Sequence, residues 1–183
     1  LPAQRMNEVV QQVEQEGVVA CPAEAVWGLT CDPLSEDAVL QLLAMKHRPI
    51  SKGLIIVAAS SAMLGPLLKP LDSAQRNELE LSWPGPNTWL VPNRGLYPDW
   101  ITGESDEIAI RVTSAPALAL LSHRLGRPVV STSANPAGAQ PARHSFQVVR
   151  YFGRGLVRAP GVVDLEASPS TIRRVGTGEV LRA

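Results

Sequence analysis

Lys46-His47-Arg48-Pro49-Ile50-Ser51-Lys52-Gly53 decides how this chain is read. The chain has only three lysines, and two of them stand in these eight residues with Arg48 between them. Ahead of the stretch, residues 35–45 read as an amphipathic helix: Ser35 suits the N-cap, and Glu36 and Asp37 sit in the first turn, where the helix dipole favours anions. Val39, Leu40, Leu42 and Leu43 supply its apolar face. Behind it, Leu54-Ile55-Ile56-Val57-Ala58 is a short apolar run of the kind that forms a buried strand. Pro49 blocks continuation of the helix, and Gly53 relaxes the backbone just before the strand. Three cations therefore occupy a loop between a helix end and a strand start, where backbone can approach a ligand. An anion of several charges, such as a triphosphate, is the obvious guest. The same cations would also suit a plain solvated helix end.

Working outward, helix and strand signals alternate. Val9, Val10 and Val13 share one side of a polar helix over residues 6–16 that stops at Gly17, and residues 18–21 read as a short buried strand. Residues 22–29 read as a loop with one carboxylate, Glu24, and one large aromatic, Trp27; Glu24 there either orients a substrate or caps neighbouring backbone. Residues 61–68 and 73–81 look like two modest helices, the second capped by Asp72. Trp83-Pro84-Gly85-Pro86-Asn87-Thr88 is a rigid turn, structural or ligand-holding, and Thr88 opens a strand through Val91. Residues 92–106 suggest an exposed connection, and residues 108–112 a strand carrying Arg111. Pro116 and Gly126 bracket an apolar helix. Residues 128–130 form a strand leading into Ser131-Thr132-Ser133-Ala134-Asn135, whose hydroxyls and carboxamide either bind phosphate or carboxylate oxygens or serve the turn itself. Residues 144–151 make a weak helix, and the tail closes on Glu179-Val180-Leu181-Arg182. Short strands alternating with helices predict a single α/β domain over residues 1–183, with a twisted mixed sheet flanked by helices.

Composition narrows the function. An apolar share of 45% supports a substantial core. Lys plus Arg and Asp plus Glu both number 17, so bulk attraction to nucleic acid or anionic membrane is not expected. Nucleic-acid contact would need a local patch. Cys21 and Cys31 follow no metal or redox spacing and read as buried thiols, and the three histidines are scattered, so no metal site is expected. No run approaches about 18 apolar residues and no signal peptide opens the chain, which predicts a soluble cytoplasmic protein. The first residue is Leu1 rather than Met, which we read as a trimmed N-terminus. Neither G-x-x-x-x-G-K-[ST], nor G-x-G-x-x-G, nor G-x-S-x-G occurs, so phosphate binding would rest on separated side chains brought together by folding.

Five ordered segments resemble the YrdC family, in particular its bacterial threonylcarbamoyl-AMP synthases of the TsaC type. They are Pro22-Ala23-Glu24 through Leu29, Lys46 through Leu54, Trp83 through Thr88, Arg111-Val112-Thr113, and Ser131 through Asn135. The tail Pro169-Ser170-Thr171-Ile172-Arg173 and the closing Arg182 also fit. The resemblance implies a concave, positively lined site and an enzyme joining L-threonine, bicarbonate and ATP into threonylcarbamoyl-adenylate, with release of pyrophosphate. Partner proteins would then transfer the threonylcarbamoyl group to tRNA position 37. Mg²⁺ would arrive with ATP, without a dedicated protein site.

By the same resemblance, Lys46 and Arg48 are the catalytic pair that holds the nucleotide phosphates, and Lys52, Ser133, Asn135 and Arg182 complete the ATP side. Arg111 would take the threonine carboxylate, with Ala23 and Ser131 beside that substrate. Glu24, Thr88 and Ser170 are weaker candidates. Three positions depart from the family pattern: Ala23 replaces a threonine, Thr30 stands where glycine is frequent, and Arg174 stands where an acidic residue is common. A positive-φ glycine at position 30 would make Thr30 awkward. Alternatives are an RNA-binding protein of RNA maturation using the same basic concavity, and a catalytically degenerate nucleotide-binding relative. A carbamoyl-transferring module of hydrogenase maturation fits less well, because zinc-finger-like cysteines are missing.

Overall fold

A computed structural model describes residues 2–182. Helix α1 (Ala3–Glu14) buries Met6, Val9 and Val13. Strands β1 (Val19–Pro22) and β2 (Trp27–Thr30) follow, then α2 (Glu36–Lys46), a 3-10 turn (Ile50–Lys52) and β3 (Ile55–Ala58). A second 3-10 turn (Ser61–Leu64) runs into α3 (Gly65–Leu68), followed by α4 (Ser73–Ser82) and β4 (Asn87–Pro92). Next come α5 (Asp99–Thr102), β5 (Glu107–Val112), α6 (Pro116–Leu125), β6 (Val129–Ser133) and α7 (Ser145–Phe152). Strands β7 (Thr171–Arg174) and β8 (Val180–Arg182) close the chain.

The strands form one sheet in the order β1-β2-β6-β3-β5-β4-β7-β8. Only β3 with β5 and β4 with β7 run parallel; the other neighbours are antiparallel. The sheet is therefore mixed and flanked by helices, as expected from the alternation of signals. Period 2 sends alternate residues to opposite faces. One face, with Leu29, Ile56, Ala58, Ile108, Ile110 and Val130, packs into the larger core beneath α2, α3 and α4. On the other face, Val19, Cys21, Val57 and Val129 are covered by α1 and α6. Those two helices cover only part of that face, and the remainder forms a concave wall.

Four sequence expectations change. Residues 22–29 are no open loop: β1 and β2 pair as a hairpin, closed by the Ala23 amide donating to Val26 oxygen at 3.0 Å. Every residue of β2 is buried, so no polar alternation betrays it. A Cβ at Gly28 would crowd Thr132 oxygen at 3.1 Å and Ser131 Oγ at 3.2 Å, which favours glycine there. Residues 61–68 start as a 3-10 turn rather than a regular helix. The 92–106 connection is not wholly exposed, because α5 buries Ile101 and Thr102. The tail, whose sequence carries no element signal, adds two strands to the sheet edge. Thr30 is extended in β2 opposite Val19 and is absent from the positive-φ residues, so the anticipated backbone strain does not arise.

Asp72 and Ser35 cap their helices as expected, each side chain accepting from backbone three residues on. Cys21 and Cys31 are free and buried. Among the described residues no helix is long and apolar enough to cross a membrane.

Candidate anion and amino-acid site

Cross-strand register builds the wall. Ser131, Ile55, Ala109, Leu90 and Arg174 form one row across β6, β3, β5, β4 and β7. Arg111 lies two residues beyond Ala109 on the same face of β5, and Glu107 two residues before it. Over this wall opens a cavity of about 600 Å³, within the range of about 300–1,000 Å³ usual for small-molecule sites. Its charged lining is Arg48, Lys52, Arg111 and Arg182 against Glu24 and Glu107. Ala23, Ser131, Ser133 and Ser170 also line it.

The opening stretch delivers its cations through the way α2 ends. His47 adopts the left-handed conformation at φ 51, and the amides of His47 and Arg48 donate to Ala44 and Leu43 oxygens. This closed helix end turns the chain so that Arg48 faces the cavity, where one Nη donates to Gly53 oxygen at 3.0 Å. Gly53 allows it with φ 63. Lys46, the last residue of α2, is buried instead. Its Nζ donates to the carbonyl of Ser133 and, at 3.1 Å, to that of Asn135, so it clamps the loop after β6. Burial, with Arg48 nearby, brings its pKa down to about 8. Asn135 Nδ2 donates to Ala139 oxygen at 2.8 Å, while Oδ1 is buried without a partner. Lys46 and Asn135 thus stand beside the cavity rather than on its wall.

Arg182 comes from the far edge. Its Nη donates to Ser170 oxygen at 3.0 Å and Ser170 Oγ at 2.9 Å, and Ser170 Oγ meets Thr88 Oγ1 at 3.3 Å. Thr88 is fully buried and anchors Ser170 without lining the cavity. Burial lowers the pKa of Arg182, and Arg182 in turn helps lower those of Arg48 and Arg111, for which burial is the larger cause. An arginine stays charged through such a shift. The shifts mark three guanidiniums converging on one space, a repulsion that an anion relieves.

One of the three, Arg111, also belongs to a buried ion pair. Arg111 lies 3.4 Å from Glu24 Oε2, and both side chains are at most one-tenth exposed. Glu24 Oε1 accepts from Thr113 Oγ1 at 2.7 Å and the Ser114 amide at 3.1 Å. Arg111 Nε and Glu24 Oε2 have no hydrogen-bond partner. The site therefore has a cation-rich half around Arg48, Lys52 and Arg182, and a half with paired opposite charges around Arg111 and Glu24.

Sequence reasoning missed Thr113 as the anchor of Glu24, missed Glu107, and noted Arg174 without finding its partner. Extending the 108–112 strand by one residue would have put Glu107 on the face of Arg111. The ion pair of Arg174 with Glu107 spans the width of β4 and leaves no local signal.

A mixed α/β sheet whose open face gathers separated arginines and hydroxyls, without a glycine-rich loop, has the YrdC-like fold. The chain belongs to the Sua5/YciO/YrdC family, whose sequence model, described as "Telomere recombination", matches residues 11–183. The threonylcarbamoyl-AMP synthase of Cellvibrio japonicus (strain Ueda107) is 50% identical, over 97% of this chain and 95% of the relative. That of Stutzerimonas stutzeri (strain A1501) is 48% identical over 97% and 96%. The crystal structure of P. abyssi Sua5 complexed with L-threonine superposes with a TM-score of 0.84 at 28% identity. It covers 96% of this chain, which spans about half (52%) of that longer protein.

Proposed function

We propose that this chain is a threonylcarbamoyl-AMP synthase, joining L-threonine, bicarbonate and ATP into threonylcarbamoyl-adenylate with release of pyrophosphate. The observation that carries the reading is the two-part cavity, with its cation-rich half beside the buried Arg111–Glu24 pair. Relatives named as that synthase, at up to 50% identity over nearly the whole chain, support it. So does a family structure complexed with L-threonine.

In this reading Arg48, Lys52 and Arg182 hold the phosphates of ATP, with Ser133 and Ser170 as hydroxyl partners. Lys46 and Asn135 serve the same half by fixing the loop that presents Ser133, and the Lys46 ammonium adds charge at its edge. Arg111 takes the threonine carboxylate in a two-pronged contact, with Ser131 and Ala23 beside it. N-Carboxythreonine attacks the α-phosphorus: a carboxylate oxygen–phosphorus bond forms, and the bond to pyrophosphate breaks. No side chain is consumed. Cys21 and Cys31, the strongest latent nucleophiles, are buried with thiol pKa values pushed up, and neither lines the cavity. Catalysis is then positioning plus neutralisation of charge on the departing pyrophosphate.

Mg²⁺ comes with the nucleotide. Both carboxylates of the cavity, Glu24 and Glu107, are engaged by arginines. In the cytoplasm the product would pass to the proteins that modify tRNA position 37.

The test is pyrophosphate release by purified protein with Mg-ATP, omitting threonine and bicarbonate in turn. Release that needs both is expected. ATP binding without release under full conditions would instead mark a degenerate relative, with Ala23→Thr as the variant to try for rescue.

A further inference from the structure

Glu107 is out of place on a wall that receives phosphate. It lines the cavity at the start of β5, four residues before Arg111 and on the same face. A bare carboxylate there opposes any anion bound nearby. The structure covers that charge with Arg174, whose Nε lies 3.1 Å from Glu107 Oε1 and 3.0 Å from Oε2. The same guanidinium also meets Glu179. Arg174 ends β7 in register with Leu90, and β7 pairs back to β8, where Arg182 stands opposite Ile172. The pair therefore ties the hairpin that carries Arg182 to the strand that carries Arg111. The guanidinium is about one-third exposed (34%) and Glu107 about one-quarter (26%), so the contact sits at the rim, where salt weakens it.

We propose that Arg174 is a positioning residue for nucleotide binding, which acts by masking the Glu107 carboxylate from the phosphates. This rests on the nucleotide reading above. Two consequences separate masking from mere bracing. If Glu107 is the harmful charge, removing it as well restores what loss of Arg174 takes away. If Arg174 only braces the hairpin, removing Glu107 restores nothing.

The experiment is isothermal titration of ATP into the full chain at low salt, without threonine or bicarbonate, so that affinity is read apart from turnover. Arg174→Gln is expected to weaken binding about fivefold, an effect that shrinks toward about 0.5 M salt. Arg174→Lys should bind within about twofold of the parent, which guards against misreading a folding defect. The double variant Arg174→Gln/Glu107→Gln should return to within about twofold of the parent. A double variant as weak as Arg174→Gln overturns the masking, and Arg174→Gln binding like the parent overturns the inference entirely. A parent protein that binds no ATP overturns the nucleotide reading itself and takes this inference with it.

Discussion

Thr30 is fully buried, and its hydroxyl has no hydrogen-bond partner. The sequence pointed to backbone strain at this position, but the strand geometry removes that cost and leaves a desolvated hydroxyl in its place. Replacing it by an isosteric methyl takes away an unpaired polar group without opening a cavity. Thr30→Val should therefore stabilise the protein by about 1 kcal/mol, or about 2–4 °C in Tm for a chain of this size; an unchanged or lower midpoint would mean that the hydroxyl is satisfied in solution. Lys46 makes a prediction in pH. Its pKa is about 8 in the folded protein against an ordinary 10.5, so the unfolded chain binds the extra proton through that window. Stability from this group is therefore lowest below pH 8 and rises as pH climbs from about 8 to 10.5. Phosphate affinity moves the other way, because the free protein loses the Lys46 charge above that pH. ATP affinity should fall across pH 8 to 9.5 in the parent and fall less in Lys46→Arg, as titrations at half-unit steps would resolve. Arg111→Ala strands the Glu24 charge in a buried site, so a loss of about 3 kcal/mol or more in stability is expected. Its KM for threonine should rise more than its KM for ATP. Equal rises, measured by pyrophosphate release, would remove Arg111 from the amino-acid half.

At the scale of elements, the Lys46–Gly53 stretch was legible because proline and glycine punctuate it and an apolar run follows. The hairpin before it was not. Trp27 to Thr30 are buried on both faces, so the alternation that marks a half-exposed strand is missing, and Gly28 looks like loop sequence until Ser131 and Thr132 are placed against it. β7 and β8 were invisible for the opposite reason. Thr171-Ile172-Arg173-Arg174 has no apolar signature, and its strand state comes from pairing with β4, some 80 residues earlier in the chain. Of the site, the cations, hydroxyls and their order along the chain were readable. The division of labour was not, because only the fold reveals that Lys46 clamps a loop while Arg48 faces the cavity. The edge strands also make a testable element. Ser170 joins Thr88 in the sheet to Arg182 in the last strand, so Ser170→Ala removes one acceptor of the Arg182 guanidinium and the partner of a buried hydroxyl. The KM for ATP should rise about threefold with the threonine KM unchanged, as expected for one lost hydrogen bond that positions a phosphate ligand. A rise in both would show that the whole wall had moved.

For the molecule as a whole, the formal charge of zero and the local gathering of Arg48, Lys52, Arg111 and Arg182 are parts of one argument. Helices α1 and α6 seal part of one sheet face with apolar contacts, and the larger core seals the opposite face, so the cations converge in the concavity left beside α1 and α6. A protein built this way concentrates positive potential on a small ligand without offering nucleic acid a long basic track. The RNA-binding alternative requires the reverse. Neutralising many phosphates releases counterions and gives a steep dependence of affinity on salt, with a slope near −0.9 per contact on a duplex and about −0.7 on a single strand. Anisotropy of a labelled tRNA, titrated with the protein between about 50 and 200 mM salt, should give weak binding and a log–log slope shallower than about −3. ATP affinity over the same range should fall only modestly, because the cavity arginines proposed to hold it are partly shielded from the counterion atmosphere. A tRNA slope of about −6 or steeper, together with pyrophosphate release that ignores threonine, would make the concavity an RNA site and displace the synthase reading.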